Sequence, residues 1–328
     1  MISIALTMAG AVAEMFGTPP VMAVAPLPPS RFEALSQPPA DDPLVAPDKL
    51  GFVRDSYQRM TVPVRLGGKG PFRFLVDTGS DRSAISRELA STLGLDAAPR
   101  ARVHSATGET QVAMAVISNL TLSRKAVQRI DAPLLDAADI GADGILGIDT
   151  LRAERLTFDF RARTVSITTA QGTPDVDDRD TIIVRAKRRD GRLVITDAAA
   201  EGQHVSVVLD TGSQYSVGNG ALRRSLERRG ALDIRGPIEL VSVTGATLRG
   251  ELAVIRELQI GGATLRGLAM VFADAHTFRK LDLARRPAIL LGMNGLESFD
   301  KVTIDFATRK LRLVVSRAPP PQPRIGQR

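Results

Sequence analysis

The 328-residue chain has no cysteine and no tryptophan, and it carries only three histidines and two tyrosines. Without cysteine there is no disulfide, no thiol nucleophile and no thiolate-ligated metal. His104, His204 and His276 lack metal-ligand spacing and read as surface residues, although His104 lies near a candidate glycine turn. No serine sits in a G-x-S-x-G setting, which removes the usual hydrolase elbow. Gly67-Gly68-Lys69-Gly70 lacks the full phosphate-loop spacing and reads as a hairpin turn. The apolar run from Ile2 to Ala13 is too short to span a bilayer, so no stable membrane span is expected.

What remains is a β-leaning composition. Hydrophobic residues make up 44% and charged residues 24%, the balance of a soluble globular chain long enough for two domains. Aromatics are only 4%, while Val, Ile, Leu, Thr and Gly are plentiful, which favours strands. The net charge of +7 and pI of about 10.2 invite a nucleic-acid reading. Acidic residues are interleaved almost throughout, however. The one dense basic cluster (Arg185, Lys187, Arg188, Arg189, Arg192) surrounds Asp190-Gly191, a hairpin signal, and reads as a solvated turn. No nucleic-acid partner is expected.

Residues 1–25 read as a signal peptide, with Ala11-Val12-Ala13 or Ala23-Val24-Ala25 as cleavage sites, although a positive leading region is missing. Export to the periplasm or medium follows as an expectation. Residues 26–50 are proline-rich and aperiodic, a linker or pro-segment, and 317–328 form a similar tail. Between these ends the chain repeats itself, with units at 51–170 and 182–316 joined by an acidic linker at 171–181.

The repeat is anchored by Leu75-Val76-Asp77-Thr78-Gly79-Ser80 and Val208-Leu209-Asp210-Thr211-Gly212-Ser213. One Asp-Thr-Gly-Ser is expected by chance in roughly one of a few hundred chains this long, and two behind apolar runs are far rarer. Each is followed by a short helix ending at glycine, Ser86 to Gly94 and Ala221 to Gly230. A turn follows in each, Thr107-Gly108 and Thr244-Gly245. Next come the apolar runs Gly144-Ile145-Leu146-Gly147-Ile148-Asp149 and Ile289-Leu290-Leu291-Gly292-Met293-Asn294. The closing strand pairs, at 156–160 with 164–167 and 302–306 with 310–314, match almost residue for residue.

One aspartate per repeat points to a pseudo-twofold site where two turns meet. Paired carboxylates in a shielded cleft share a proton and can serve together as acid and base. Gly79 and Gly212 permit tight turns whose amides face the carboxylates. Thr78 and Thr211 can bond across the axis, and Ser80 and Ser213 can donate to the outer carboxylate oxygens, lowering the pair's pKa. Gly147 and Gly292 permit close backbone approach behind the turns.

These motifs resemble those of retropepsin-like and pepsin-like aspartic proteases, over about residues 59–169 and 182–315. The resemblance implies an all-β fold with a few short helices, two retropepsin-like lobes related by pseudo-twofold symmetry. It implies a single-chain, two-lobed bacterial member: an endopeptidase with Asp77 and Asp210 as catalytic groups and a peptide or protein as substrate. Thr107-Gly108 and Thr244-Gly245 would be the flaps that close over the peptide. Asp149 and Asn294 fall where retropepsins carry a structural Asp or Asn. No cofactor and no metal are implied, and a monomer with its site between the lobes is expected. Both copies have Ser where retroviral members have Ala, which implies an acidic optimum, and neither flap has the pepsin tyrosine. A non-catalytic peptide-binding or scaffolding protein that kept the cleft is the alternative, and an obligate dimer using one lobe per site is a third.

Overall fold

The structure is a computed structural model and describes residues 7–8, 49–54, 59–122, 125–169 and 181–315. The signal peptide, pro-segment, interlobe linker and tail lie outside the described residues, apart from Thr7, Met8, Lys49, Leu50 and Thr181. Thr7–Met8 forms a short strand paired antiparallel with Leu240 and Val241. Lys49 and Leu50 belong to a strand, Lys49–Gly51, so ordered pairing begins slightly ahead of the expected lobe boundary at 51.

Each lobe opens on a hairpin. In Met60–Leu66 the alternate residues Val62, Val64 and Leu66 are buried, while Pro63 and Arg65 face out, as a one-sided strand requires. Gly67 and Gly68 both take positive φ, the backbone that a tight hairpin turn demands. The return strand Lys69–Val76 stops at Asp77. The apolar run Gly144–Leu146 then inserts beside it, parallel to Phe74–Val76 on one side and antiparallel to Ala84–Ile85 on the other. Strands flanked on both sides and covered on both faces read as unbroken apolar runs, and all three residues of this one are buried.

The second lobe repeats the construction. Ala288–Leu291 lies parallel to Ser206–Leu209 and antiparallel to Val217–Gly218. The expected helices are present at Arg87–Leu93 and Gly220–Arg228. Their N-cap side chains, Ser86 and Asn219, accept from Leu89 N and Leu222 N, satisfying amides that helix starts leave open. No helix among the described residues is long and apolar enough to cross a membrane.

The closing strands do something the sequence did not announce. Glu154–Asp159 of the first lobe pairs antiparallel with Lys301–Asp305 of the second, with Thr157 opposite Thr303 and their hydroxyls 3.0 Å apart. Thr164–Thr169 and Lys310–Val314 flank this pair, and Lys49–Gly51 and Thr181–Arg185 add outer strands. Edges that would be exposed in separate lobes are thereby paired. One apolar cluster runs through both lobes and this shared sheet, including Val64, Phe74, Leu156, Phe158, Ile255, Val302 and Ile304.

Asp305 is fully buried in that sheet, where Arg155 Nε and Nη2 reach its Oδ2 at 3.1 and 3.0 Å. Burial pushes its pKa up, but hydrogen bonds from Thr308 and Arg155 outweigh burial and hold the carboxyl below its ordinary value. Stability from a depressed carboxylate is present above the unfolded-state pKa and is lost as pH falls through the folded value. Asp305→Asn should therefore cost about 3 kcal/mol near neutral pH, because it removes the charge that faces a buried guanidinium. The deficit should shrink progressively below about pH 4. Urea denaturation of both proteins across that range measures it, and a deficit independent of pH would show that the charge is not responsible.

Candidate active site

The two Asp-Thr-Gly turns meet across the pseudo-twofold axis. Thr78 N donates to Thr211 Oγ1 at 3.0 Å, and Thr211 N donates to Thr78 Oγ1 at 3.2 Å. Each hydroxyl passes its own proton further into the opposite lobe, Thr78 to Leu209 O (3.2 Å) and Thr211 to Val76 O (2.8 Å). Four buried bonds thus tie the turns together. Asp77 Oδ1 accepts from Gly79 N at 2.9 Å and Asp210 Oδ1 from Gly212 N at 3.2 Å. The Asp77 carboxylate lies directly against Gly212, so any Cβ there would overlap it. Both carboxylates therefore converge on one spot, and both aspartates are buried, at 0% and 1% exposure.

The strands behind the turns hold the aspartate backbones in matching fashion. Asp77 N donates to Leu146 O and Asp210 N to Leu291 O, both at 3.0 Å. Gly147 packs on the backbone of Arg82 and Gly292 on that of Tyr215, with no room for a side chain at either. Asp149 accepts from Ser83 N (2.9 Å) and Ser83 Oγ (2.7 Å), and Asn294 Oδ1 accepts from Ser216 N and Oγ, both at 2.9 Å. Ser83 and Ser216 in turn receive Gly147 N and Gly292 N. These serines were missed in the sequence, although each stands six residues after its aspartate (77 to 83, 210 to 216).

Ser80 and Ser213 behave differently from expectation. Ser80 Oγ donates to Arg82 O at 2.8 Å and Ser213 Oγ to Tyr215 O at 2.7 Å. A hydroxyl has one proton to give, and in both serines these bonds direct it to a backbone carbonyl rather than to the carboxylate of Asp77 or Asp210. They brace their turns, and in this arrangement they do not lower the carboxylate pKa in the way an acidic optimum would require.

A second departure concerns the basic cluster. Arg192 is 1% exposed rather than solvated. It crosses from the second lobe to the first turn, with Nε 2.8 Å from Gly79 O, Nη2 on the same carbonyl, and Nη1 2.9 Å from the Asp81 carboxylate. Its counterpart Arg59, equally buried, donates to Ile140 O. Each arginine stands eighteen residues ahead of its aspartate (59 to 77, 192 to 210), a repeat hidden in one case by neighbouring positive charges. The planar, always-charged guanidinium suits such a multi-acceptor site.

The turns at Thr107-Gly108 and Thr244-Gly245 are hairpin tips with related internal bonding, the second one residue longer. Ser105 N donates to Gly108 O and Ser242 N to Ala246 O, while the Ser105–Thr107 and Ser242–Thr244 hydroxyls lie 2.9 and 3.2 Å apart. The tips touch through Thr244 Oγ1 and Ser105 Oγ at 3.4 Å. Each inserts one apolar residue into the opposite lobe. Ala106 is buried in a cluster with Val208, Phe278 and Leu290, and Val243 in one with Leu75, Ile140 and Ile145. Gly245 rests on Asp139 of the first lobe, whose carboxyl burial, and then Asp136, push up in pKa.

At the first tip, Ala106 O accepts from His276 N at 2.7 Å. Beside this bond, His104 Nδ1 lies 3.1 Å from His276 Nε2 and 3.3 Å from Glu109 Oε1. Two histidines read as unrelated surface residues thus meet across 172 positions. No spacing rule could have found them. Burial, foremost, holds both imidazoles below the usual histidine range. His204 lies elsewhere, with Nδ1 2.8 Å from Ala198 O.

A family model described as aspartyl protease matches residues 62–150 and again 196–294, together more than half the chain and once per lobe. No curated protein matches the sequence.

The crossed threonine bonds yield a quantitative expectation. Thr78→Val removes one donor and one acceptor and leaves Leu209 O and Thr211 N buried without them, costing about 3 kcal/mol. Thr211→Val should cost a similar amount. Because both changes undo the same contact between lobes, the double variant should cost less than the sum by more than about 0.5 kcal/mol. Denaturant unfolding of the four proteins reads this coupling. Strict additivity would mean that each threonine serves only its own lobe.

Proposed function

The chain belongs to the aspartyl protease family, and we propose that it is an endopeptidase in which Asp77 and Asp210 together activate one water. The observation that carries this reading is the crossed threonine pair, which seats the Asp77 carboxylate against the glycine of the Asp210 turn. Two carboxylates so close share a proton, a situation for which aspartic-protease dyads are themselves the reference case. The ionised member takes a proton from a water lying between them as its oxygen attacks the scissile carbonyl carbon. The neutral member donates to the carbonyl oxygen, giving a tetrahedral diol. Collapse breaks the C–N bond as the nitrogen takes a proton from the dyad, while a diol hydroxyl gives its own proton back to the dyad and re-forms the carbonyl of the acid product. Acid and amine products leave, and the pair is returned to its one-proton state. No covalent intermediate is required.

The flaps shape access. With Ala106 and Val243 docked in opposite lobes, the buried dyad is covered, so peptide entry requires both tips to lift. Once the tips have lifted, an extended segment would lie across the two turns, and closing over it would exclude bulk water from the reacting centre. Both aspartates belong to one chain, so a monomer is sufficient for a complete site.

Asp77→Asn and Asp210→Asn should each reduce cleavage of an unfolded protein substrate by at least about 10⁴-fold, since either change removes the shared proton and its acceptor. Digestion of a denatured protein or a peptide library, with pepstatin as a second probe, measures the loss. Normal turnover by either variant would refute the dyad. Peptide binding without cleavage by the wild-type protein across pH 3–8 would favour a scaffold that kept the cleft.

A further inference from the structure

The structure assigns a divalent-metal site, of the kind zinc occupies, to His104, Glu109 and His276, where the ion would latch the first flap to the opposite lobe. His104 ends one strand of the flap hairpin and Glu109 begins the other, directly opposite it in register. His276 begins a short helix of the second lobe, His276–Lys280. One ligand atom from each residue lies within 4.8 Å of the other two.

The spacing suits an ion. Ligands at about 2.05 Å from a tetrahedral zinc lie roughly 3.3 Å from one another. His104 Nδ1 stands 3.1 Å from His276 Nε2 and 3.3 Å from Glu109 Oε1. The imidazole planes are within 5° of parallel, with centroids 5.3 Å apart, and the two nitrogens are hydrogen-bond partners without an ion. A modest swing of either ring is therefore needed to turn both lone pairs onto a metal beside them. Two nitrogens and one carboxylate oxygen are a zinc-type donor set, with a fourth position left for water. The residues are part-exposed at the flap margin, which gives the ion a route in.

The surroundings set the affinity. Arg102 holds the other oxygen of Glu109, Oε2, at 3.2 Å. Arg279 lies 3.5 Å from His276 Nδ1, and Lys280 adds a third positive charge to the field at both histidines. This cationic rim weakens binding compared with a closed structural zinc site, and it also favours neutral, ligand-ready imidazoles. The latch is therefore built to respond to metal rather than to require it.

The consequence for access rests on the proposed protease reading. Ala106 O and His276 N already join the flap tip to the second lobe, and an ion beside that bond would cross-link the same two elements. Metal would hold the flap down and slow peptide entry without touching the dyad.

Titration of the untagged, chelator-stripped full-length protein with Co²⁺ at pH 7.5, followed by visible absorption, tests the site independently of proteolysis. One equivalent should bind with the bands of a four-coordinate N/O site, Zn²⁺ should displace it, and Zn²⁺ should raise the thermal midpoint. His104→Gln and His276→Gln should each weaken binding at least tenfold and abolish the thermal shift, whereas Asp77→Asn should change neither. Circular dichroism establishes that each variant is folded. If wild type shows no one-equivalent binding, or if both glutamine variants bind as wild type does, the site is refuted. Unchanged peptidase turnover in wild-type protein saturated with Zn²⁺ would refute the latch while leaving the metal site standing. Absence of peptidase activity under all conditions would count against the protease reading alone, because the Co²⁺ result does not depend on it.

Discussion

The meeting of the two Asp-Thr-Gly turns depends on four hydrogen bonds, two between Thr78 and Thr211 and two from their hydroxyls to the opposite strands. Thr78 and Thr211 each give and receive across the pseudo-twofold axis, so neither turn can shift without breaking bonds in the other lobe. In a buried setting each broken bond strands a polar group with no water to replace it. The aspartates are therefore held in place by residues one position further along the chain. Asp77 is positioned by what Thr78 does, and what Thr78 does is fixed by the second lobe.

That contact can form only if the lobes are docked in register, and three features dock them. The shared sheet pairs Thr157 with Thr303 and buries Leu156, Phe158, Val302 and Ile304 in a core common to both halves. The Arg155–Asp305 pair adds a charged contact across the same seam that an alternative register would break. Arg192 then reaches from one lobe into the turn of the other and binds Gly79 O and Asp81. At the hairpin tips, Ala106 and Val243 each pack into the opposite lobe, so these turns are held by the same principle of reciprocal insertion.

Much of this was legible in the sequence, because it is written in local pattern. Asp77 and Asp210, the apolar runs ending at Gly147 and Gly292, and the glycine-tipped turns at Gly108 and Gly245 all carry short-range signals of strand and turn. What escaped depends on distance in the chain. His104 and His276 meet only after the lobes dock, and the closing strands look like ends of separate units until their edges are brought together. Arg192 had a usable signal in its eighteen-residue offset, but a neighbourhood of exposed arginines masked it. Ser80 and Ser213 illustrate a different gap. Their residue type was compatible with donating to a carboxylate, but in the folded turn the single proton goes to a backbone carbonyl. Composition can nominate a hydrogen-bond partner but cannot choose among acceptors.

The central claim is that the two lobes of one chain build a single site that needs both aspartates at once. Mixing inactive Asp77→Asn protein with inactive Asp210→Asn protein and assaying peptide cleavage over a range of concentrations tests this directly. If each site is assembled within one chain, every molecule in the mixture has one defective half and no activity returns. Recovery of a substantial fraction of wild-type turnover, rising with protein concentration, would contradict the account and place the working pair between two chains.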